Sequence, residues 1–357
     1  MTFLQKKPGW IGVDLGVSSV KIAQLVWREG RLVIGSTAQA SRRKSWLTDG
    51  KCRQASLLPA SSKSELSEAV LIGKKWQGNT AAASLSLAVA DVYQAPLPNE
   101  GFEDPTRCET FRKAALYPLE LRQLDWWPAA ANAKNPPHAM VASLPQAWSE
   151  LVCKELAQQK WNCRAIDLLS WSLARAIGLA DSGGQPSQAR PGIYAAIDWG
   201  CSKATCILYR DGVPILMRSL KDGGFANIVG ALKEQLGANE LETRELIQSA
   251  GAEHSGSAAS RVVSKLIARH WRKFESELLR TLDYWESQTR GEKLEQIYLF
   301  GGGAGLGDAQ QRISGITSVK TTRWSFPQAP QSNNQQPIPS FLLGSAVGLS
   351  AMAWEKS

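Results

Sequence analysis

An apolar run through Ile11, Gly12 and Val13 breaks at Asp14-Leu15-Gly16, crosses a short patch at Val17-Ser18-Ser19, and resumes as a second strand from Val20 and Lys21. Far downstream the same order returns at Ala196-Ile197-Asp198-Trp199-Gly200-Cys201-Ser202-Lys203-Ala204-Thr205. In both copies the second strand meets a charged glycine turn, Arg28-Glu29-Gly30 or Arg210-Asp211-Gly212, and a third strand follows (Leu32 to Ser36, Val213 to Met217). Each copy reads as paired β-hairpins with an acidic, glycine-containing tip.

Between the copies, Ser41 to Lys63 is polar, basic and without period, which predicts a surface loop. Ser64 to Leu71 predicts a helix. Ala83 to Tyr93 predicts one strand, with Leu85, Leu87 and Val89 on one face, closed by Pro96-Leu97-Pro98. A helix over Pro105 to Leu116 is stopped by Pro118. Strands over Leu119 to Ala129 and His138 to Leu144 flank the Asn/Pro-rich Asn132 to Pro137. Trp148, Leu151, Val152 and Leu156 keep helical spacing in Gln146 to Gln159. A short strand through Ala165-Ile166-Asp167 then leads to a helix over Leu168 to Leu179. The Gly/Ser/Pro-rich Asp181 to Pro191 is the best domain boundary.

Beyond the second hairpin, helices are expected over Ala226 to Leu236, Leu241 to Gly251 and Ser260 to Arg290. The strand Gln296 to Phe300 runs straight into Gly301-Gly302-Gly303-Ala304-Gly305-Leu306-Gly307. Pro327 to Pro339 reads as a surface loop and Phe341 to Trp354 as a closing apolar helix. The domain division expected is 1–82 (first lobe), 83–167 (inserted small α/β subdomain), 168–190 (helix and linker), 191–225 with 291–340 (second lobe), 226–290 (its helical subdomain) and 341–357 (a closing helix on the first lobe).

Composition changes this picture little. The chain has 357 residues, 43% hydrophobic and 20% charged, as in a folded globular protein with room for two cores. Asp14 interrupts the N-terminal apolar run before it reaches signal-peptide length, and Phe341 to Trp354 falls short of the roughly 20 apolar residues a bilayer needs. A cytoplasmic protein is expected. Six cysteines without a CxxC pair read as buried, reduced thiols, not as a metal site. The net charge of +9 favours acidic company, but no nucleic-acid motif accompanies it, and Arg261, Lys265, Arg269 and Arg272 fall on one solvated helix face. The 14 tryptophans are scattered, like core and interface anchors. His138, His254 and His270 have no partner in sequence, and no residue stands out as a hydrolytic base.

A carboxylate at a strand tip, followed by a glycine that lets backbone approach and then by hydroxyls, suits a Mg²⁺-bound phosphate. Asp14 and Asp198 are the candidate metal residues, with Gly16, Val17, Ser18, Ser19, Gly200, Cys201, Ser202 and Lys203 around phosphate. Lys21 reads as a structural residue of the outgoing strand. The alternative for both aspartates is a plain strand-end turn in a fold without nucleotide. Gly301 to Gly307 never gives G-x-G-x-x-G and no long βαβ unit follows, so a dinucleotide fold is excluded. In a clamp model, the glycines of such a strand-to-helix turn instead let the backbone pass close to an adenosine or ribose.

Together these three motifs resemble the two phosphate motifs and the adenosine motif of the actin-like ATPase superfamily. Within it the chain is most similar to the type IV pilus assembly PilM family, close to the cell-division protein FtsA. The likeness extends to Leu116-Tyr117-Pro118-Leu119-Glu120, to the Met217 to Gly224 passage, to Leu279-Arg280-Thr281-Leu282-Asp283-Tyr284 and to Gly344-Ser345-Ala346-Val347-Gly348-Leu349. It implies a bilobal α/β actin-like (ribonuclease H-like) fold of two related βββαβα lobes with an inserted α/β subdomain. It also implies ATP with Mg²⁺ between the lobes, at most slow ATPase activity, and a place at the inner face of the inner membrane. The partner implied is the N-terminal cytoplasmic tail of a PilN-like membrane protein, beside other pilus platform proteins, with homo-oligomers open. The FtsA-like lysine that helps hold nucleotide is matched here by Gln248. The rival readings are an FtsA-like polymerising protein, a small-molecule kinase on the same fold, and a nucleotide-free scaffold of a related secretion or DNA-uptake system.

Overall fold

In a computed structural model of the chain, the described residues are 7–42, 47–48, 51–52, 64–73, 76–85, 87, 89–97, 105–129, 138–186, 189–220, 223–249, 258–289, 292–329 and 337–355. The expected breaks at Asn132 to Pro137 and around 330–336, and most of the loop ending at Lys63, lie outside them. Two compact units form: Met1–Arg190 with Gly212–Ile215 and Ser325–Ser357, and Pro191–Asp211 with Leu216–Trp324.

The first unit opens with strands β1 (Ile11–Leu15), β2 (Ser19–Arg28) and β3 (Arg31–Ser41). Glu29 and Gly30, with φ of 49° and 80°, make the β2–β3 turn, the two left-handed residues that match the strand twist. A two-residue hairpin, β4 (Leu47–Thr48) and β5 (Lys51–Cys52), interrupts the expected loop. Helix α1 (Glu65–Gly73) and strand β6 (Thr80–Leu85) follow.

The single strand expected over Ala83 to Tyr93 is two strands. β6 ends at Leu85, the chain turns, and β7 (Asp91–Pro96) joins a different sheet. Val89 and Ala90 are buried within that turn, so apolar alternation continues across the change of partner and hides it. Helix α2 (Glu109–Ala114), β8 (Arg122–Ala129) and β9 (His138–Pro145) complete a three-stranded antiparallel sheet of order β7-β9-β8. It has its own small core of Ala95, Cys108, Phe111, Leu119, Ala139 and Val141.

Helix α3 (Gln146–Gln158) and β10 (Asn162–Leu168) return to the large sheet, whose order is β10-β6-β1-β2-β3. Trp148, Val152 and Leu156 of α3 pack into the core of β1, β2 and β6. β1 lies antiparallel to β2 and parallel to β6, and β10 parallel to β6. Helix α4 (Leu169–Asp181) follows. The last helix of the chain, α9 (Gly344–Ala351), is buried from Gly344 to Ser350 and packs on this sheet. A Cβ on Gly348 would stand 1.7 Å from the Ser172 carbonyl oxygen of α4, and one on Gly12 1.9 Å from that of Ala346, so glycine allows both close crossings. Hydroxyls tie the seam: Ser345 Oγ lies 2.7 Å from Ser84 Oγ and 3.1 Å from Ser172 Oγ.

The second unit repeats the plan. Strands β11 (Ile193–Trp199), β12 (Ala204–Arg210) and β13 (Val213–Leu220, of which Leu216 onward falls in this unit) are followed by helices α5 (Ala226–Leu236), α6 (Glu240–Ser249) and α7 (Ala258–Thr289). Then come β14 (Gln296–Phe300), α8 (Ala309–Thr317) and β15 (Thr321–Arg323). Asp211 and Gly212 turn with φ of 52° and 83°, like Glu29 and Gly30. The sheet order β13-β12-β11-β14-β15 matches β3-β2-β1-β6-β10 strand for strand, with β14 parallel to β11 and β15 parallel to β14. No helix among the described residues is long and apolar enough to cross a membrane.

Candidate functional site

The first tip is the β1–β2 connection. Antiparallel register places Asp14 opposite Lys21 and Leu15 opposite Val20, leaving Gly16, Val17 and Ser18 to turn the chain. Lys21 Nζ donates to Asp14 Oδ2 at 2.8 Å, with both side chains about five-sixths buried (15% and 16% exposed). Lys21 lies on the outgoing strand, as its position in sequence predicts, and its ammonium reaches the carboxylate at the tip. A tip this short puts the residue facing Asp14 at the opposite strand position, and that register was the available signal. Val17 and Ser19 turn inward and are buried, while Ser18 is exposed. Gly16 is needed because a Cβ there would come within 2.9 Å of the Ser19 carbonyl oxygen.

Behind this tip Arg42 acts as a brace. Its Nε donates to the Gly16 carbonyl at 2.7 Å and its backbone N–H to the Ser18 carbonyl at 2.8 Å. Its guanidinium stands 3.7 Å from the Glu65 carboxylate. Glu155 of α3 borders the same small recess as Arg42, Ser64 and Glu65. Burial pushes the Glu155 carboxyl above its ordinary value, while Ser64 and Arg42 pull against that and Glu65 adds to it.

The second tip is the β11–β12 connection. Asp198 lies opposite Thr205 on one side and beside Phe300 of the parallel β14 on the other. Gly301, at φ 79° and ψ −179°, occupies backbone space open to glycine. A Cβ there would come within 2.6 Å of both Asp198 Oδ1 and the Trp199 carbonyl oxygen. Asp198 and the Gly301–Ala304 turn therefore meet in the second unit. Backbone N–H groups of Phe225 and Ala226 donate to the carbonyls of Gly200 and Cys201 at 3.0 and 2.9 Å, fixing the turn to the start of α5. Cys201 and Ser202 are half-buried and Lys203 is exposed.

Trp199 points away from that turn into the core. Its Nε1 donates to the Gly223 carbonyl at 2.7 Å, and its ring stacks on Phe274 at 4.1 Å with a 6° interplanar angle. Gly303 lies so close to the indole that a Cβ would sit 2.1 Å from the ring. Trp199 therefore anchors α7 and the glycine turn together, a role its apolar neighbours in sequence do not reveal.

Among the described residues no group of three or more His, Cys, Asp or Glu side chains could hold a metal ion alone. Cys108 and Cys206 are buried, and burial pushes the Cys206 thiol up to about 12. Cys153 departs from the buried-thiol expectation and is exposed.

The first unit also contains a cavity of about 140 Å³ lined by residues of β6, β8, β9 and β10, among them Leu124, Asp125, Ala142, Ile166 and Asp167, and by Trp171 of α4. β8 and β10 are edge strands of their respective sheets. Asp167 is ion-paired to Arg175, and Asp91 to Arg122. Burial raises both aspartate carboxyls and the paired guanidinium opposes the rise in each case.

Two tandem βββαβα units, each with an Asp-x-Gly hairpin tip, define the actin-like ATPase fold. The model of the family described as type IV pilus assembly protein PilM matches residues 12–333, and the chain belongs to that family. Curated proteins yield no match to this sequence. Among solved structures, the PilM-PilN type IV pilus biogenesis complex aligns with a TM-score of 0.73 at 17% identity, covering 98% of this chain and 99% of that one. The ethanolamine utilization protein EutJ from Carboxydothermus hydrogenoformans aligns at 0.52 and 14% identity, over 98% of this chain and 90% of its own. MreB 5 of Spiroplasma citri, bound to AMPPNP, aligns at 0.51 and 11% identity, over 98% and 96%. At these identities the likeness is one of fold.

Proposed function

We propose that this protein is an ATP-binding scaffold of a type IV pilus inner-membrane assembly platform, which captures the N-terminal cytoplasmic tail of a PilN-like membrane protein. Its place is the cytoplasmic face of the inner membrane, reached through that partner. The observation that carries the reading is the cavity bordered by the edge strands β8 and β10. An extended segment laid on a strand edge gains main-chain hydrogen bonds, and its alternate side chains enter pockets. Leu124, Ala142 and Ile166 offer those pockets an apolar lining.

The tips fit a nucleotide carrying Mg²⁺. In the first unit Lys21 offers an ammonium suited to phosphate and Asp14 a carboxylate suited to a hydrated cation; in the second, Asp198 offers a carboxylate of the same kind and Gly301 to Ala304 backbone without side-chain bulk. Bound Mg²⁺ neutralises phosphate charge. Asp14 is engaged by Lys21, and no residue of the sequence is marked as a hydrolytic base, which favours ATP as a structural or switching ligand with turnover slow at most. Helix α9, buried from Gly344 to Ser350, suits a core element better than the membrane anchor of an FtsA-like polymer.

The test is a pair of titrations: a synthetic peptide of the tail, against wild type and Leu124→Arg, and a fluorescent ATP analogue, against wild type and Asp14→Ala. Tail binding lost in Leu124→Arg, with analogue binding lost only in Asp14→Ala, is the expected result. A wild-type protein that captures no tail would overturn the scaffold reading.

A further inference from the structure

Beyond Trp171 the first unit opens into a second and larger cavity, of about 530 Å³, walled by Leu32, Trp171, Ala174, Arg175, Leu179 and Trp354. That is within the range of about 300–1,000 Å³ in which proteins hold ligands. Trp171 lines both cavities, so they are neighbours along α4. A charge network also joins them. Asp167, in the wall of the first cavity, pairs with Arg175, in the wall of the second, and Arg175 pairs again with Glu355 at the chain's far end.

Among the described residues of this network two carboxylates, Asp167 and Glu355, share one guanidinium, and Glu355 is the exposed member, with 48% of its side chain in solvent. The indole of Trp354, set edge-on to Trp27 at 6.3 Å, borders the same opening. Apolar walls, aromatic rings and an exposed carboxylate together suit a segment that carries a cation between apolar side chains. The cytoplasmic flank of a membrane-spanning helix has that character, because such flanks are enriched in Lys and Arg.

We propose that this second cavity receives the basic, membrane-proximal part of the same partner tail, after its leading part has been seated along β8 and β10. The inference rests on the tail reading above and extends it: the leading part supplies anchorage, and the following basic part supplies charge complementarity at Glu355. The chain then grips a tail in two places that meet at Trp171.

Calorimetric titration with two synthetic peptides separates the claims, one the leading part of the tail and the other the whole cytoplasmic tail. The whole tail is expected to bind wild type about tenfold tighter than the leading part, with the advantage shrinking as salt is raised. Glu355→Arg should reduce the whole tail to the affinity of the leading part and leave the leading part unchanged. Trp354→Ala, checked for folding by thermal denaturation, should do the same. Equal affinity of the two peptides for wild type overturns this proposal while leaving the groove reading intact. Binding of neither peptide overturns both. A self-association of wild type that Glu355→Arg abolishes, with tail affinities unmoved, would give the cavity to a second copy of the chain and also overturn the proposal.

Discussion

Lys21 faces Asp14 across the first hairpin at 2.8 Å, whereas the corresponding position across from Asp198 is Thr205. The two tips share a backbone plan and differ in charge: the first holds a carboxylate and an ammonium together, the second a carboxylate against a glycine backbone. If ATP binds as proposed, its phosphates should depend most on the first tip. Lys21→Met leaves a mostly buried carboxylate without its donor and should cost about 1.5–3 kcal/mol of stability, read by denaturant unfolding. It should also lower affinity for the ATP analogue more than tenfold. Adding Asp14→Asn should recover stability without recovering nucleotide. If the double variant binds the analogue normally, the tip is only structural.

Glu155 gives a pH signature to the region behind this tip. Its folded-state pKa lies above the ordinary 4.5, chiefly because of burial. A raised carboxyl favours folding fully below the unfolded value, and that contribution disappears as pH climbs through the folded value. At neutral pH the charged form is therefore a net cost. Glu155→Gln should unfold at a higher temperature than wild type at pH 7, and the gain should close as pH falls toward 4.5. A lower midpoint at pH 7 would mean that attraction to Arg42 outweighs burial.

Adjacent glycines in the second unit should respond differently. Gly301→Ala places a methyl against Asp198 and the Trp199 carbonyl in backbone space that costs a substituted residue about 1–3 kcal/mol by itself. Circular dichroism melts should show a large loss. Gly302→Ala meets only the Phe225 ring, at 3.4 Å, and should melt near wild type. Equal losses in the two variants would contradict the close packing of Asp198 on the turn.

Much of this architecture was legible because its signals are local. Asp-x-Gly between apolar runs announces a tip, and Glu29-Gly30 and Asp211-Gly212 announce tight hairpins, which is where the chain turns. Whatever depends on partners at long range was not. Alternation through Val89 concealed the passage from β6 to β7, and the strand Ala165 to Asp167 gave no sign that it closes the large sheet beside β6. The inserted sheet consequently spans β7 to β9, with β10 outside it. The site divided along the same line. Asp14 and Asp198 could be picked out by motif, but Lys21 acquires its place from cross-strand register and Arg42 from a hydrogen bond back to Gly16. The cavity proposed for the tail was invisible because residues from four strands and α4 line it.

Position 248 tests the proposed nucleotide site from the second unit. It lies in the last turn of α6, and the preceding residue, Ile247, accepts a hydrogen bond at its carbonyl from the Gly307 N–H at 3.1 Å. The end of α6 is thereby tied to the loop that leaves the Gly301–Ala304 turn. Resemblance to FtsA-like proteins puts a nucleotide-holding lysine where this chain has Gln248. A charge-assisted hydrogen bond contributes about 1.5–3 kcal/mol, and 1.4 kcal/mol is tenfold in affinity. Gln248→Lys should therefore tighten the ATP analogue by about tenfold or more, with the gain reduced in Asp14→Ala if both residues serve one ligand. Tail-peptide affinity should be unchanged in the absence of nucleotide. An analogue titration that does not move in Gln248→Lys would show that this position makes no contact with nucleotide, and that the chain's affinity is set by its tips.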